Sequence, residues 1–96
     1  MTPQEKILSV ARETILTEAK AIANLEQLLD QNFAEAVQAV YESKGRVIIT
    51  GIGKSAVIAT KIVATLNSTG TPAVFMHAAD AIHGDLGTIL QDDVVI

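Results

Sequence analysis

Between the apolar run Val47-Ile48-Ile49 and an amphipathic segment sits a glycine turn, Gly51-Ile52-Gly53-Lys54-Ser55, and it leaves this chain few folds to choose from. A strand that hands over to a helix through such a turn aims backbone N–H groups and the positive end of the helix dipole at one point, a geometry that binds phosphate. Lys54 adds charge and Ser55 a hydroxyl, so the expected ligand is a phosphorylated small molecule. A second polar patch, His83-Gly84-Asp85, falls where the next strand-to-helix connection is expected. Together the two patches point to chemistry on a phosphorylated substrate.

The flanking segments can be read in the same way. Thr2-Pro3-Gln4-Glu5 offers a Thr cap, Pro at the first helical position and Glu at the third, which predicts a capping box and a helix start. Behind it Ile7, Ala11, Ile15, Ala19, Ile22 and Leu29 recur broadly on one face of a long helix. That stripe serves either as a packing or dimer face, or as the underside of a helix lying on its own domain. Asn32 with Glu35 repeats the capping signature and predicts a second helix carrying Phe33, Ala36, Val37, Val40 and Tyr41, closed by Lys44-Gly45. Strand one is expected from Arg46 to Thr50. A helix follows from Ser55 to Leu66, with Val57, Ile58, Ile62, Val63 and Leu66 as its apolar set. Asn67 to Gly70 form a turn, Thr71 to Met76 a second strand with Pro72 tolerable near its start, and Ala78 to Ile82 a short helical turn. Asp92-Asp93 then leads into a third apolar run, Val94-Val95-Ile96.

Strands separated by helices imply an α/β fold, a parallel sheet with helices on both faces. Much of the 49% apolar content is Ala, Val and Ile, with only 3% aromatic residues, which suits helices packed closely on such a sheet. With 96 residues there is room for one small domain at most. Two strands and part of a third would leave an edge unpaired. The expectation is therefore the N-terminal portion of a longer protein: a helical lead-in over residues 3–44, then a βαβ phosphate-binding core over 45–96 that breaks off in its third strand. The net charge of −4 argues against nucleic acid, which basic side chains bind, and against an anionic membrane surface. No cysteine is present to build a disulfide framework or a thiolate metal site. Neither a signal peptide nor a long apolar segment is found, so the cytoplasm is the expected location.

Several readings compete for the glycine turn. The nucleotide-binding pattern G-x-x-x-x-G-K-[ST] matches only at Gly53-Lys54-Ser55, because Ile48 stands inside the strand where its first glycine belongs. A dinucleotide fingerprint fits formally as Gly51-x-Gly53-x-x-Ala56, but Phe75-Met76-His77 occupy the end of strand two in place of the expected acid. A sugar-phosphate site would have Ser55 and nearby amides on the phosphate and Lys54 reaching the sugar. Against all three stands a plain tight turn with Lys54 as a solvated surface residue. For His83-Gly84-Asp85 the chemical reading is a histidine base oriented or charged by the carboxylate. The structural reading is that Gly84 ends a short helix and Asp85 caps the next segment, and both could hold together. His77 reads as a satisfied rim histidine, and His77, Asp80, His83 and Asp85 match no strong metal-ligand spacing.

The run Gly45 to Ser55, then Ser68-Thr69-Gly70-Thr71-Pro72, then His77 and His83-Gly84-Asp85-Leu86-Gly87, resembles the sugar isomerase (SIS) domain of arabinose 5-phosphate isomerases. The likeness spans Gly45 to Ile96 and rests on three motifs in order and at matching spacing. It implies a flavodoxin-like α/β fold and an aldose–ketose isomerase that interconverts ribulose 5-phosphate and arabinose 5-phosphate, feeding synthesis of an eight-carbon acid sugar of bacterial surface polysaccharide. It also implies a homo-oligomer (dimer or tetramer) and a C-terminal pair of CBS modules; the sequence itself points to no cofactor and assigns no metal ligand. By motif, Lys54 would be the electrostatic or hydrogen-bonding residue, and Ser55 with Gly51 and Gly53 would hold phosphate. His83 would be the acid–base or ring-opening residue, with Asp85 its partner. The chain departs from the pattern where Ala56-Val57 replaces a Gly and a polar residue, where Ala78 replaces a Pro, and where Asp80 stands for Glu. The resemblance places a second, serine-rich phosphate loop and later acid–base residues beyond Ile96, so residues 1–96 alone are expected to lack isomerase activity. A sensor that grips phosphosugars without catalysis is the alternative; His83 favours the enzyme, since a sensor has no need of an acid–base residue.

Overall fold

The computed structural model describes residues 1–96. Its elements are α1 (Pro3–Asn24), a 3₁₀ turn (Leu25–Leu28), α2 (Gln31–Glu42), β1 (Val47–Gly51), α3 (Lys54–Ser68), β2 (Ala73–His77), α4 (Ala78–Ile82), a second 3₁₀ turn (Asp85–Thr88) and β3 (Val94–Val95). No helix is long and apolar enough to cross a membrane. The chain divides into two units, Met1–Glu35 and Ala36–Ile96.

In the first unit the predicted capping box is formed. Glu5 N donates to Thr2 Oγ1 at 3.1 Å, and Thr2 N donates to Glu5 Oε2 at 2.8 Å. No residue of α1 is buried. Ile7, Ile15 and Ile22 stand 66%, 65% and 69% exposed, so the stripe seals no core there. Leu29 lies past the 3₁₀ turn, outside the long helix whose stripe it is expected to join. The cap of α2 is Asp30 and not Asn32, because it is the Asp30 carboxylate that accepts from Phe33 N, at 3.2 Å. An anionic cap is also favoured by the helix dipole, which an amide is not.

The second unit is a three-stranded parallel sheet in the order β2-β1-β3, flanked by helices. β1 is central, and its register sets Val47 against Ala73 on one side and Val94 on the other. A strand bonded along both edges and covered on both faces has no polar side to show, which explains an unbroken apolar run in place of alternation. Val47, Ile49, Ala59 and Ala73 form the buried cluster, with Val40, Val63, Leu66 and Phe75 packed against it. The stripe of α3 that meets the sheet is therefore Ala59, Val63 and Leu66. Val57, Ile58 and Ile62, expected with it, remain exposed at 72%, 62% and 45%. Small Ala59 lets the helix axis approach the strands, and one helix face can meet one sheet face only. Asn67 fastens the entry to β2, donating from Nδ2 to Ala73 O at 3.0 Å and accepting from Ala73 N at 2.8 Å.

Gly45 does not end α2 in the expected manner of a helix-terminating glycine. The helix stops earlier, at Glu42, and Gly45 does not have a positive φ. Its role is close approach: a Cβ there would run into the Asp92 carbonyl and lie 2.8 Å from Asp93 N. The third strand can reach β1 only because residue 45 lacks a side chain.

Candidate functional site

The glycine turn leaves β1 at its carboxyl end, where Gly51 pairs in register with His77 at the end of β2. In the order β2-β1-β3 the chain turns to one side of β1 and later crosses to the other. The carboxyl end of β1 is thus a topological switch point, the place where open parallel sheets bind ligands. Gly53 is the residue before α3 and adopts φ 62°, a left-handed value that glycine takes at no steric cost. Gly51 serves packing, since a Cβ on it would lie 3.3 Å from Ala56 N and from the Ser55 carbonyl carbon. No side chain caps α3, so none competes with an anion for its first-turn N–H groups. Lys54 and Ser55 lie exposed in that first turn, and Lys54 has no ion-pair partner.

His77 has one ring nitrogen hydrogen-bonded. Its Nδ1 accepts from Ala79 N at 3.1 Å and caps α4, which leaves the proton of the neutral ring on Nε2. His83 follows α4 as its C-cap and is exposed. Gly84 at φ 119° ends that helix as expected, but Asp85 is the first residue of the next turn and not its cap. No hydrogen bond joins Asp85 to His83, so the carboxylate does not orient the imidazole through a direct contact. Asp85 instead lines a cleft of about 360 Å³ together with Arg46, His77 and Asp80, beside Ile48 and Met76 of the sheet. Neither His83 nor the glycine turn lines it. His77, Asp80, His83 and Asp85 do not gather into a set of three or more metal-ligating groups.

The best-built polar cluster nearby has no counterpart in the sequence motifs. Arg46 donates from Nη2 to Asp93 Oδ2 at 2.8 Å and from Nε to Oδ1 at 3.3 Å, and from Nη2 to the Thr88 carbonyl at 3.0 Å. The Asp93 side chain is 1% exposed and also accepts from Leu90 N at 2.7 Å and Arg46 N at 2.9 Å. The Arg46 guanidinium, then these two amides, hold the carboxyl well below the usual carboxylate range, and the pairing raises Arg46 in turn. A carboxyl that binds protons more weakly folded than unfolded contributes stability above its unfolded pKa of about 4, and that contribution fades as the pH falls below it. Urea midpoints of the full chain should therefore drop more steeply from neutral to acid pH in wild type than in Asp93→Asn. Parallel curves would show that Asp93 is not the group responsible. An arginine and an aspartate separated by 47 positions carry no spacing signal that could have found them.

A family model described as the SIS domain matches residues 40–96. Arabinose 5-phosphate isomerase GutQ of Escherichia coli K12 is 44% identical over 92 residues, which are 96% of this chain and 29% of that relative. Arabinose 5-phosphate isomerase KdsD of the same strain is 44% identical over 85 residues, 88% of this chain and 26% of that relative. Among solved structures, an Escherichia coli CFT073 protein in complex with arabinose 5-phosphate superposes at a TM-score of 0.87 and 36% identity, covering 99% of this chain and 50% of that one. A Listeria monocytogenes protein matches at 0.87 and 33%, over the same shares. The chain thus spans less than a third of the curated relatives and half of the solved structures it matches.

Proposed function

This chain belongs to the SIS-domain family, and from that premise we propose that it supplies the first phosphate loop and an acid–base histidine to an isomerase that interconverts ribulose 5-phosphate and arabinose 5-phosphate. The observation that carries the reading is the uncapped start of α3, with Lys54 and Ser55 exposed in its first turn at the switch point of the sheet. The sugar phosphate bound by the structural relative supports the same ligand class.

The reaction needs a base that takes a proton from one carbon and returns it to its neighbour through an enediolate, and a donor that stabilises the oxyanion. His83, exposed and free of any bond to Asp85, is the acid–base or ring-opening group. Lys54 stabilises the developing negative charge, and Ser55 with the amides after Gly51 and Gly53 holds phosphate. Asp85 contributes through its negative charge and not through a bond to the imidazole. A cytoplasmic, homo-oligomeric protein is part of this reading, with the exposed Ile7, Ile15 and Ile22 as apolar area for the contact. CBS modules downstream and a product destined for surface polysaccharide complete it.

The test is NMR of ribulose 5-phosphate in heavy water with protein from the complete reading frame. Arabinose 5-phosphate carrying deuterium at C2 is the expected product. Binding without exchange would replace the isomerase by a phosphosugar sensor. Neither binding nor exchange would remove this substrate pair, and light scattering on the same sample reads the oligomer.

A further inference from the structure

We propose that Arg46 is a positioning residue for the His83-Gly84-Asp85 segment, tying it to the entrance of β1 through the Thr88 carbonyl and the Asp93 carboxylate. The inference rests on the isomerase reading for its catalytic consequence, but the tie itself is a matter of geometry. Residues 82–88 are exposed along most of their length, with Ile82 at 82% and Leu86 at 60%, so burial of apolar surface does not hold this stretch in place. Segments of that kind are the first to open locally unless polar contacts restrain them.

The restraint is a continuous hydrogen-bonded chain. Asp93 takes two bonds from the Arg46 guanidinium and one from its backbone N–H. The same Nη2 that meets Asp93 also donates to the Thr88 carbonyl at 3.0 Å. Thr88 Oγ1 in turn donates to the Asp85 carbonyl at 2.7 Å, and Gly87 N donates to the Gly84 carbonyl at 3.1 Å. From the buried carboxylate at residue 93 the connection therefore runs to residues 84 and 85, beside His83. A planar guanidinium can serve a carboxylate by two nitrogens and a carbonyl at once, whereas an ammonium is a single point charge on a flexible stem. Because Arg46 stands next to Val47 and Ile48, both 1% exposed, it couples the segment to the most deeply buried part of the sheet.

The experiment uses full-length protein carrying Arg46→Met, Arg46→Lys or Thr88→Val. The last removes only the Thr88–Asp85 step of the chain and leaves both bonds of Arg46 intact, while Arg46→Lys, which keeps the charge but not the two-sided contact, keeps the test open should Arg46→Met fail to fold. Hydrogen–deuterium exchange of the 83–90 amides should accelerate about tenfold or more in Arg46→Met and Thr88→Val while the β1 amides stay protected. Turnover per folded protomer should fall about 10- to 100-fold in Arg46→Met, with a displaced limb in the pH profile of kcat/KM. Arg46→Lys should restore the wild-type profile in part. Unchanged exchange at 83–90, or a pH profile superimposable on wild type, overturns the positioning role and leaves Arg46 a clip for β3. Accelerated exchange in a protein whose wild type shows no isomerisation keeps the tie and removes the isomerase reading instead.

Discussion

Lys54→Ala, made in protein from the complete reading frame, is expected to lower kcat by about 100- to 1,000-fold, the usual loss when one preorganised stabiliser of an oxyanion is removed. The side chain is exposed and has no ion-pair partner, so truncation breaks no contact that holds the fold. His83→Ala should cost about 100- to 10,000-fold on the same grounds, the range for a positioned acid or base. Its ring is exposed, and only its backbone takes part in ending α4. Circular dichroism and unfolding midpoints matching wild type would confine both losses to chemistry. Wild-type turnover in either variant would remove that residue from the mechanism.

Gly45→Ala should be the most damaging small substitution, destabilising by about 3 kcal/mol as a severe case of overpacking. The atoms a Cβ would strike are the backbone carbonyl of Asp92 and the amide of Asp93, so no side-chain rotation can make room. β3 would have to withdraw from β1, taking with it the carboxylate that pairs with Arg46. Gly53→Ala is the control. It faces open space and carries only the strain of a sparsely populated backbone conformation at φ 62°, of order 1–3 kcal/mol. Urea midpoints of the two variants should fall in that order. A wild-type midpoint for Gly45→Ala would mean that the Asp92 backbone retreats at little cost.

Sequence reading succeeded where one local rule had one outcome. The Thr2–Glu5 box, the strand–glycine–helix handover at Gly51 to Ser55 and the short helix after His77 each rest on residues within a few positions of one another. It missed where two local solutions were close in energy, as with Asp30 and Asn32, either of which could cap α2 in isolation. It missed as well where only tertiary structure decides. Val57, Ile58 and Ile62 are as apolar as Val63 and Leu66, and hydrophobicity alone does not say which side of α3 meets the sheet. The order β2-β1-β3, the requirement for glycine at position 45 and the tie between Arg46 and Asp93 all depend on β3 lying beside β1. At the site, the geometry of the glycine turn was legible, whereas the absence of a hydrogen bond between Asp85 and His83 was not, since nothing in their spacing shows how the turn at Gly84 directs the two side chains.

The strand order also fixes a sequence in time. A ribosome delivers β1, α3 and β2, the βαβ unit, before β3. Asp93 emerges 47 residues after Arg46, and only then does the stretch bearing His83 acquire its anchor. In a nascent chain the strand that anchors this stretch is thus the last of the three to emerge, and the segment bearing His83 is untied from β1 until it does.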